Sequence, residues 1–232
     1  MNEHTSKKFD SELEGIRTRV LQMGGMVELQ IVKAMEGLSD GDQLLIDQVI
    51  ENDNRVNLLE IELDEACNQV IAKRQPTAVD LRMVSTVQKT ITDLERIGDE
   101  AKKIAKTAKH LHAMGSPFMP QIRLGHIADA VVDMLRTALD AYARLDTVSA
   151  AQVVRHDKEV DAEFKGIMRQ LITYMMEDPR TISQSIELMF VAKSVERIGD
   201  HAKNIAEYVV YMVKGRDVRH TSLEEIEREA TR

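Results

Sequence analysis

An identical pentapeptide, Glu-Arg-Ile-Gly-Asp, occurs twice in the chain, at residues 95–99 and 196–200. Each copy is followed at matching distances by the pairs Ala-Lys and Ile-Ala. A weaker match, further toward the N-terminus in each half, links residues 53–57 with residues 157–161. The order of the two motifs is the same in both places, so the chain consists of two related halves that must adopt related structures.

Apolar residues recur at steps of three and four through both halves, which is the pattern of amphipathic helices. Pro76 and Pro179 lie between the two motifs of their respective halves and end helices there, because proline cannot continue a helix. Thr77 offers a hydroxyl as the N-cap of the helix that follows. The pattern predicts six long helices and no strand, with bounds near residues 9–37, 42–74, 78–114, 120–145, 148–177 and 182–214.

Long helices joined by short turns lie antiparallel, because only then are their apolar stripes buried against one another. We therefore predict an all-α fold of two tandem, pseudo-symmetric, antiparallel three-helix bundles, residues 1–115 and 116–215. The chain contains only 3% aromatic residues, so aliphatic side chains must fill the core. Residues 216–232 form a charged tail that we expect to fray.

The net charge of −8 argues against a nucleic-acid surface, which needs clustered lysine and arginine. The single cysteine, Cys67, excludes an internal disulfide and a cysteine zinc cluster, and we interpret it as a core thiol. The chain has no apolar run of the ~18 residues that span a bilayer. We therefore expect a soluble, cytoplasmic protein that does not insert into a membrane.

The repeated motifs place carboxylates four residues apart, on one face of a helix. Within each half, both motifs lie on the same rotational side of the apolar stripe of their helices. Two antiparallel neighbours with this offset place both motifs either in the groove between them or on its outer edges. In the groove, up to four oxygen ligands would meet, as in sites for Mg, Mn, Ca or Fe. The candidate metal ligands are Glu95, Asp99, Asp53 and Asn57 in the first half, and Glu196, Asp200, Asp157 and Asp161 in the second.

Two other interpretations of these acids remain open. In the first, the acids are solvated charges paired with nearby lysines and arginines, as in a purely structural bundle. In the second, the acids hold metals in a catalytic di-metal helical enzyme. The repetition of one arrangement in both halves favours a cation role over solvated charge. No glutamate lies three residues before any histidine, and no phosphate-binding loop is present, so we predict a protein that is not an enzyme. Gly98 and Gly199 indicate either close helix packing or room beside the carboxylates.

Several segments resemble those of the PhoU family of phosphate-signalling proteins, and the likeness extends over nearly the whole chain. They include residues 23–28, 72–77 and 174–178 together with both Glu-Arg-Ile-Gly-Asp motifs. The resemblance implies two three-helix bundles whose acidic motifs form surface sites for one or several metal ions. Asn57 departs from the acidic pattern of the family.

The resemblance also implies a function. PhoU proteins restrain phosphate-starvation genes when phosphate is plentiful, by linking the phosphate transporter to a sensor kinase. The implied partners are the transporter's ATPase subunit, PstB, and the sensor histidine kinase, PhoR, with a homodimer formed through exposed helical faces. The implied cofactors are divalent or trivalent metal ions, Mg, Mn, Zn or Fe.

Overall fold

The computed structural model describes residues 2–231, with side chains from Phe9 onward. Over this range the chain forms seven α-helices and one 3₁₀ turn, Pro179–Thr181, and no strand. Its helices are α1 (Asn2–Asp40), α2 (Gln43–Arg74), α3 (Ala78–Met114), α4 (Gly125–Arg144), α5 (Thr147–Glu177), α6 (Ile182–Lys214) and α7 (Leu223–Thr231). None of the helices in the described part of the chain has the length and apolarity needed to cross a membrane.

Helices α1, α2 and α3 pack on one another as one three-helix bundle, and α4, α5 and α6 form a second. The apolar stripes of the sequence face inward, and Val20, Ile31, Leu63 and Ile97 have no solvent exposure. The predicted fold class, two tandem pseudo-symmetric antiparallel three-helix bundles, is therefore confirmed.

The second helix of each bundle begins with the same kind of N-cap, an aspartate. The carboxylate of Asp42 accepts hydrogen bonds from the backbone at Leu44 and Leu45 at the start of α2. Asp146 caps α5 in the same way, and bonds from Ser149 to its carboxylate lower its pKa. Such caps satisfy amide groups that a helix leaves unpaired at its first turn.

Three predictions of helix ends need correction. The first helix begins earlier than Phe9, at Asn2. Helix α4 begins at Gly125 rather than near residue 120, and no side chain caps this start, so the sequence held no signal that marks it. Thr77 does occupy the N-cap position of α3, but its side chain makes no capping hydrogen bond.

The two bundles contact each other along α3 with α6 and along α1 with α4. The α3–α6 contact contains two polar pairs, with Asp93 Oδ1 2.6 Å from His201 Nδ1 and Glu100 Oε1 2.9 Å from Arg197 Nη1. Both acids are buried, so each is compensated across the contact by a partner in the other bundle.

The expectation that the tail frays is wrong for the described residues after Gly215. Helix α7 packs against α5 and α6, and Val218, Ile226 and Ala230 are buried. The charged residues of the tail far outnumber these three buried apolar residues, which is why composition alone indicated disorder.

Candidate functional site

The acidic motifs of each half face each other across a groove between two helices, rather than standing on its outer edges. In the first acidic groove, Lys102 Nζ of α3 lies 2.6 Å from Asp53 Oδ2 of α2. Burial raises the pKa of the Glu95 carboxyl, and the negative charges of Asp99, Glu60 and Asp53 raise it further. We define the first acidic groove by Asp53, Asn57, Glu60, Glu95, Asp99 and Lys102.

The second acidic groove lies between α5 and α6 and repeats the arrangement. Lys203 Nζ lies 2.7 Å from Asp157 Oδ2. Burial raises the pKa of Asp200, and the charges of Glu196 and Asp157 add to this effect. The groove is defined by Asp157, Asp161, Glu196, Asp200 and Lys203.

The lysines are the main feature that the acidic motifs alone did not predict. The carboxylates of Asp53 and Asp157 are almost fully buried, with exposures of 0% and 5%, and each holds a lysine ammonium at its Oδ2 atom. The two aspartates are thus paired with lysines, as the interpretation of the acids as salt-bridged charges expected. Unlike ordinary surface ion pairs, however, their carboxylates are buried. Among the side chains of residues 9–231, no three His, Cys, Asp or Glu groups are arranged to hold a metal ion.

Glu60 is a site residue that the sequence analysis missed. It lies one helical turn beyond Asn57, on the same face of α2, and acts electrostatically on Glu95. Phe164 follows Asp161 at the same spacing in the second half. The first groove therefore has an acid at the Glu60 position and an amide at Asn57, whereas the second has Asp161 and an aromatic ring. This difference between the two halves could have been found in the sequence by comparing one further helical turn after residues 53–57 and 157–161.

Buried polar atoms without partners accumulate in the first acidic groove and beside it, on α1. Asp53 Oδ1, Asn57 Oδ1 and both side-chain polar atoms of Gln30 lack a hydrogen-bond partner within the described part of the chain. A buried polar atom left without a partner costs free energy, so it favours a ligand or water at that place. The donor chemistry is suited to a hard cation, because three of the four atoms are oxygens.

Gly98 lies beside these atoms. A β-carbon at Gly98 would lie 3.3 Å from Gln30 Oε1 and 3.5 Å from Asp53 Oδ1. At Gly199, the nearest atoms are instead methyl groups of Val131 and Val160, at 3.3 and 3.5 Å. Gly199 therefore serves close packing, whereas Gly98 serves packing and also leaves room beside a buried carboxylate.

Fold and site together define a class: an all-α protein of two tandem three-helix bundles, each with a buried aspartate and a repeated acidic motif in a groove between helices. A sequence profile of the PhoU domain matches residues 20–108 and, a second time, residues 124–209. The chain belongs to the PhoU family.

Known relatives match over nearly the full length of the chain. The chain is 48% identical to the phosphate-specific transport system accessory protein PhoU of Serratia marcescens, over 98% of this chain and 93% of that protein. The protein of the same name from Escherichia coli K12 is also 48% identical, over 98% and 94%. The crystal structure of PhoU from Pseudomonas aeruginosa superposes with a TM-score of 0.86 at 46% identity, covering 90% of this chain and 100% of that chain.

Proposed function

We propose that this chain is the accessory protein of a phosphate-specific transport system and a negative regulator of the phosphate-starvation response. The observation that carries the proposal is the 48% identity, over 98% of the chain, to two proteins named as accessory proteins of that system. The duplicated acidic grooves lie within the segments that match the PhoU profile.

The proposed mechanism is that of a cytoplasmic adaptor without catalytic activity. It couples the transporter's ATPase subunit to the sensor histidine kinase, so that kinase output follows the state of the transporter. The contact between α3 and α6 supports this role, because the pairs Asp93–His201 and Glu100–Arg197 join the two bundles and would link a displacement of one to the other. Exposed apolar side chains on α6, such as Phe190 at 61% exposure, support a homodimer.

We further propose that the two acidic grooves bind metal ions, Mg, Mn, Zn or Fe. Asp53, Asn57, Glu95 and Asp99 would hold an ion in the first groove, with Glu60 as an additional carboxylate. Asp157, Asp161, Glu196 and Asp200 would do so in the second. A bound ion would supply positive charge that neutralises these carboxylates and stiffens the contact between the two helices.

The fit rests on two observations in the first acidic groove. Asp53 Oδ1 and Asn57 Oδ1 are buried and lack a partner among the described residues, so a cation would satisfy them. Burial and the neighbouring carboxylates raise the pKa of Glu95, so a cation beside this group would offset an excess of negative charge. Lys102 competes for the other oxygen of Asp53 and would have to move aside for the ion to reach both.

A reporter for a phosphate-starvation gene, measured in phosphate-replete cells, tests the regulatory proposal. Deletion of the gene is expected to switch the reporter on, and the wild-type gene is expected to silence it again. A reporter that stays silent after deletion would contradict negative regulation. Pull-down of the ATPase subunit and the kinase domain by the purified chain tests the adaptor role separately.

A further inference from the structure

The C-terminal segment occupies a groove formed by α5 and α6. Ile226 and Ala230, one helical turn apart on α7, are 2% and 3% exposed, and Val218 before the helix is 2% exposed. The hydroxyl of Thr147 at the start of α5 donates a hydrogen bond of 2.7 Å to the carbonyl oxygen of Ala230. This groove, the α7 groove, therefore binds an amphipathic helix through an apolar stripe and polar contacts at its rim.

Charges on the two sides of the α7 groove are complementary. Helix α7 carries four glutamates, Glu224, Glu225, Glu227 and Glu229, against a single basic residue, Arg228. On α5, Arg155 donates to Glu227 with an Nε–Oε1 distance of 2.9 Å, and Lys158 interacts electrostatically with Glu224. The groove thus selects an acidic amphipathic helix, with an apolar pair at i and i+4 and a carboxylate beside the first.

An open pocket borders the C-terminal segment. It has a volume of about 310 Å³ and lies between α5, α6 and residues 219–226. Asp157 and Lys203 of the second acidic groove line it, together with Glu207, which is 6% exposed. Helix α7 has only nine residues, with Ile226 and Ala230 as its buried side chains, and the segment before it borders an open pocket. Its release therefore costs less than unfolding of the bundle.

We propose that the α7 groove is a docking surface for an acidic amphipathic helix of a partner protein, and that α7 is its built-in competitor. Exchange of α7 for the partner helix would displace residues 219–226, which line the pocket beside Asp157. The α2–α3 groove of the first bundle is followed by the linker to α4 and not by a docked helix, so the competition acts on the second bundle. The proposal depends on neither the phosphate assignment nor metal binding.

The test uses the full-length chain and a fluorescent peptide that copies residues 216–231. Ile226→Asp/Ala230→Asp places carboxylates at the two buried positions and is expected to release α7, because a buried unpaired charge is costly. Glu225→Ala, at an exposed position of the same helix, is the matched control. Binding is followed by fluorescence anisotropy, and circular dichroism confirms that each variant keeps its helices.

The peptide is expected to bind the released variant, and to bind the wild type and Glu225→Ala at least roughly tenfold more weakly, since α7 occupies their grooves. Arg155→Glu in the released variant should weaken binding about fivefold, and a peptide with Glu227→Lys should restore it. A scrambled peptide of the same composition should not bind.

Absence of binding to a folded released variant would overturn the proposal, as would equal binding to wild type and released variant or indifference to Arg155→Glu. Light scattering on the same samples measures the oligomeric state and so tests whether the groove holds α7 of a second copy of this chain. If the wild type is a dimer and the released variant a monomer, the groove holds α7 of a second copy, and the exchange with a partner protein is wrong.

Discussion

The ammonium group of Lys102 on α3 lies 2.6 Å from Oδ2 of Asp53 on α2, and this carboxylate has no solvent exposure. The hydrogen bond raises the pKa of Lys102, as expected for a cation that compensates a buried anion. The other oxygen of Asp53 has no hydrogen-bond partner among the described residues. One buried carboxylate thus stabilises the bundle through a lysine and offers its second oxygen to a ligand.

Removal of the lysine alone is expected to be costly. Lys102→Met leaves the charge of Asp53 buried and unpaired, so the free energy of unfolding should fall by about 3 kcal/mol. Urea denaturation at neutral pH measures the change.

The double variant Asp53→Asn/Lys102→Met is the control, because it removes both charges. It should lose clearly less stability than Lys102→Met alone. If the single and double variants were equally stable, the unpaired Asp53 carboxylate would carry no energetic cost, and the importance given to this contact would be wrong.

Substitution of the acids should lower the metal affinity, whereas substitution of Lys102 should raise it. Asp99→Asn and Asp200→Asn each remove a carboxylate ligand and should weaken Mn²⁺ binding in calorimetric titrations. Lys102→Met frees Asp53 and should strengthen binding at the first groove about tenfold, or ~1.4 kcal/mol. Unchanged Mn²⁺ binding in all three variants would refute the proposed ligand sets, whereas the regulatory proposal would stand.

The adjacent glycines of α1 should respond differently to alanine. A β-carbon at Gly24 would lie 2.5 Å from Cδ1 of the buried Leu139, at the contact between the bundles, whereas one at Gly25 meets nothing within 4 Å. Gly25→Ala should stabilise by about 0.5–1 kcal/mol through helix propensity. Gly24→Ala should be less stable than Gly25→Ala by about 1–3 kcal/mol, because Leu139 must move.

Thermal denaturation of the two variants, run beside the wild type, gives this comparison directly. Equal stability of the alanine variants would mean that α1 and α4 are not in close contact at Gly24 in solution.

Glu207 should make stability depend on pH. Burial raises the pKa of its carboxyl to about 7, from an ordinary value of 4.5. The folded state therefore holds the proton more tightly than the unfolded state, so stability falls as the pH rises from about 4.5 to 7. Glu207→Gln removes this loss, and its stability relative to wild type should rise by about 1–3 kcal/mol between pH 4.5 and 8.

Denaturation curves at several pH values, with the exposed Glu225→Gln as control, test the assignment. A stability difference between Glu207→Gln and wild type that does not change with pH would show that Glu207 titrates normally.

The helices and their pairing could be predicted from the sequence because they depend on the spacing of apolar residues. The stripe from Leu13 through Val27 to Ala34 is buried along α1, as its period indicates. Cys67 was correctly predicted to be a core thiol: it has no exposure, and burial followed by the charge of Asp64 raises its pKa to about 12. The division into units at residues 115 and 116 stays a prediction.

The remaining features depend on contacts between distant elements. No local pattern indicates that Lys102 and Lys203 bond to Asp53 and Asp157, because each of these lysines and its aspartate lie on different helices. The packing of α7 on α5 and α6 could not be predicted for a similar reason. Its Ile226 and Ala230 form too short an apolar stripe to stand out in a charged tail, and only the α7 groove gives them a place.

The most direct test of the central claim is complementation of the deletion strain under phosphate-replete conditions. The phosphate-starvation reporter would be measured with wild type and with Glu95, Asp99, Glu196 and Asp200 all changed to alanine, after confirming that the variant is folded and equally abundant. The account predicts that the wild type silences the reporter and that the variant leaves it active. Full silencing by the variant would contradict a regulatory role for the acidic grooves, and a reporter that is silent without any copy of the gene would contradict the regulatory function itself.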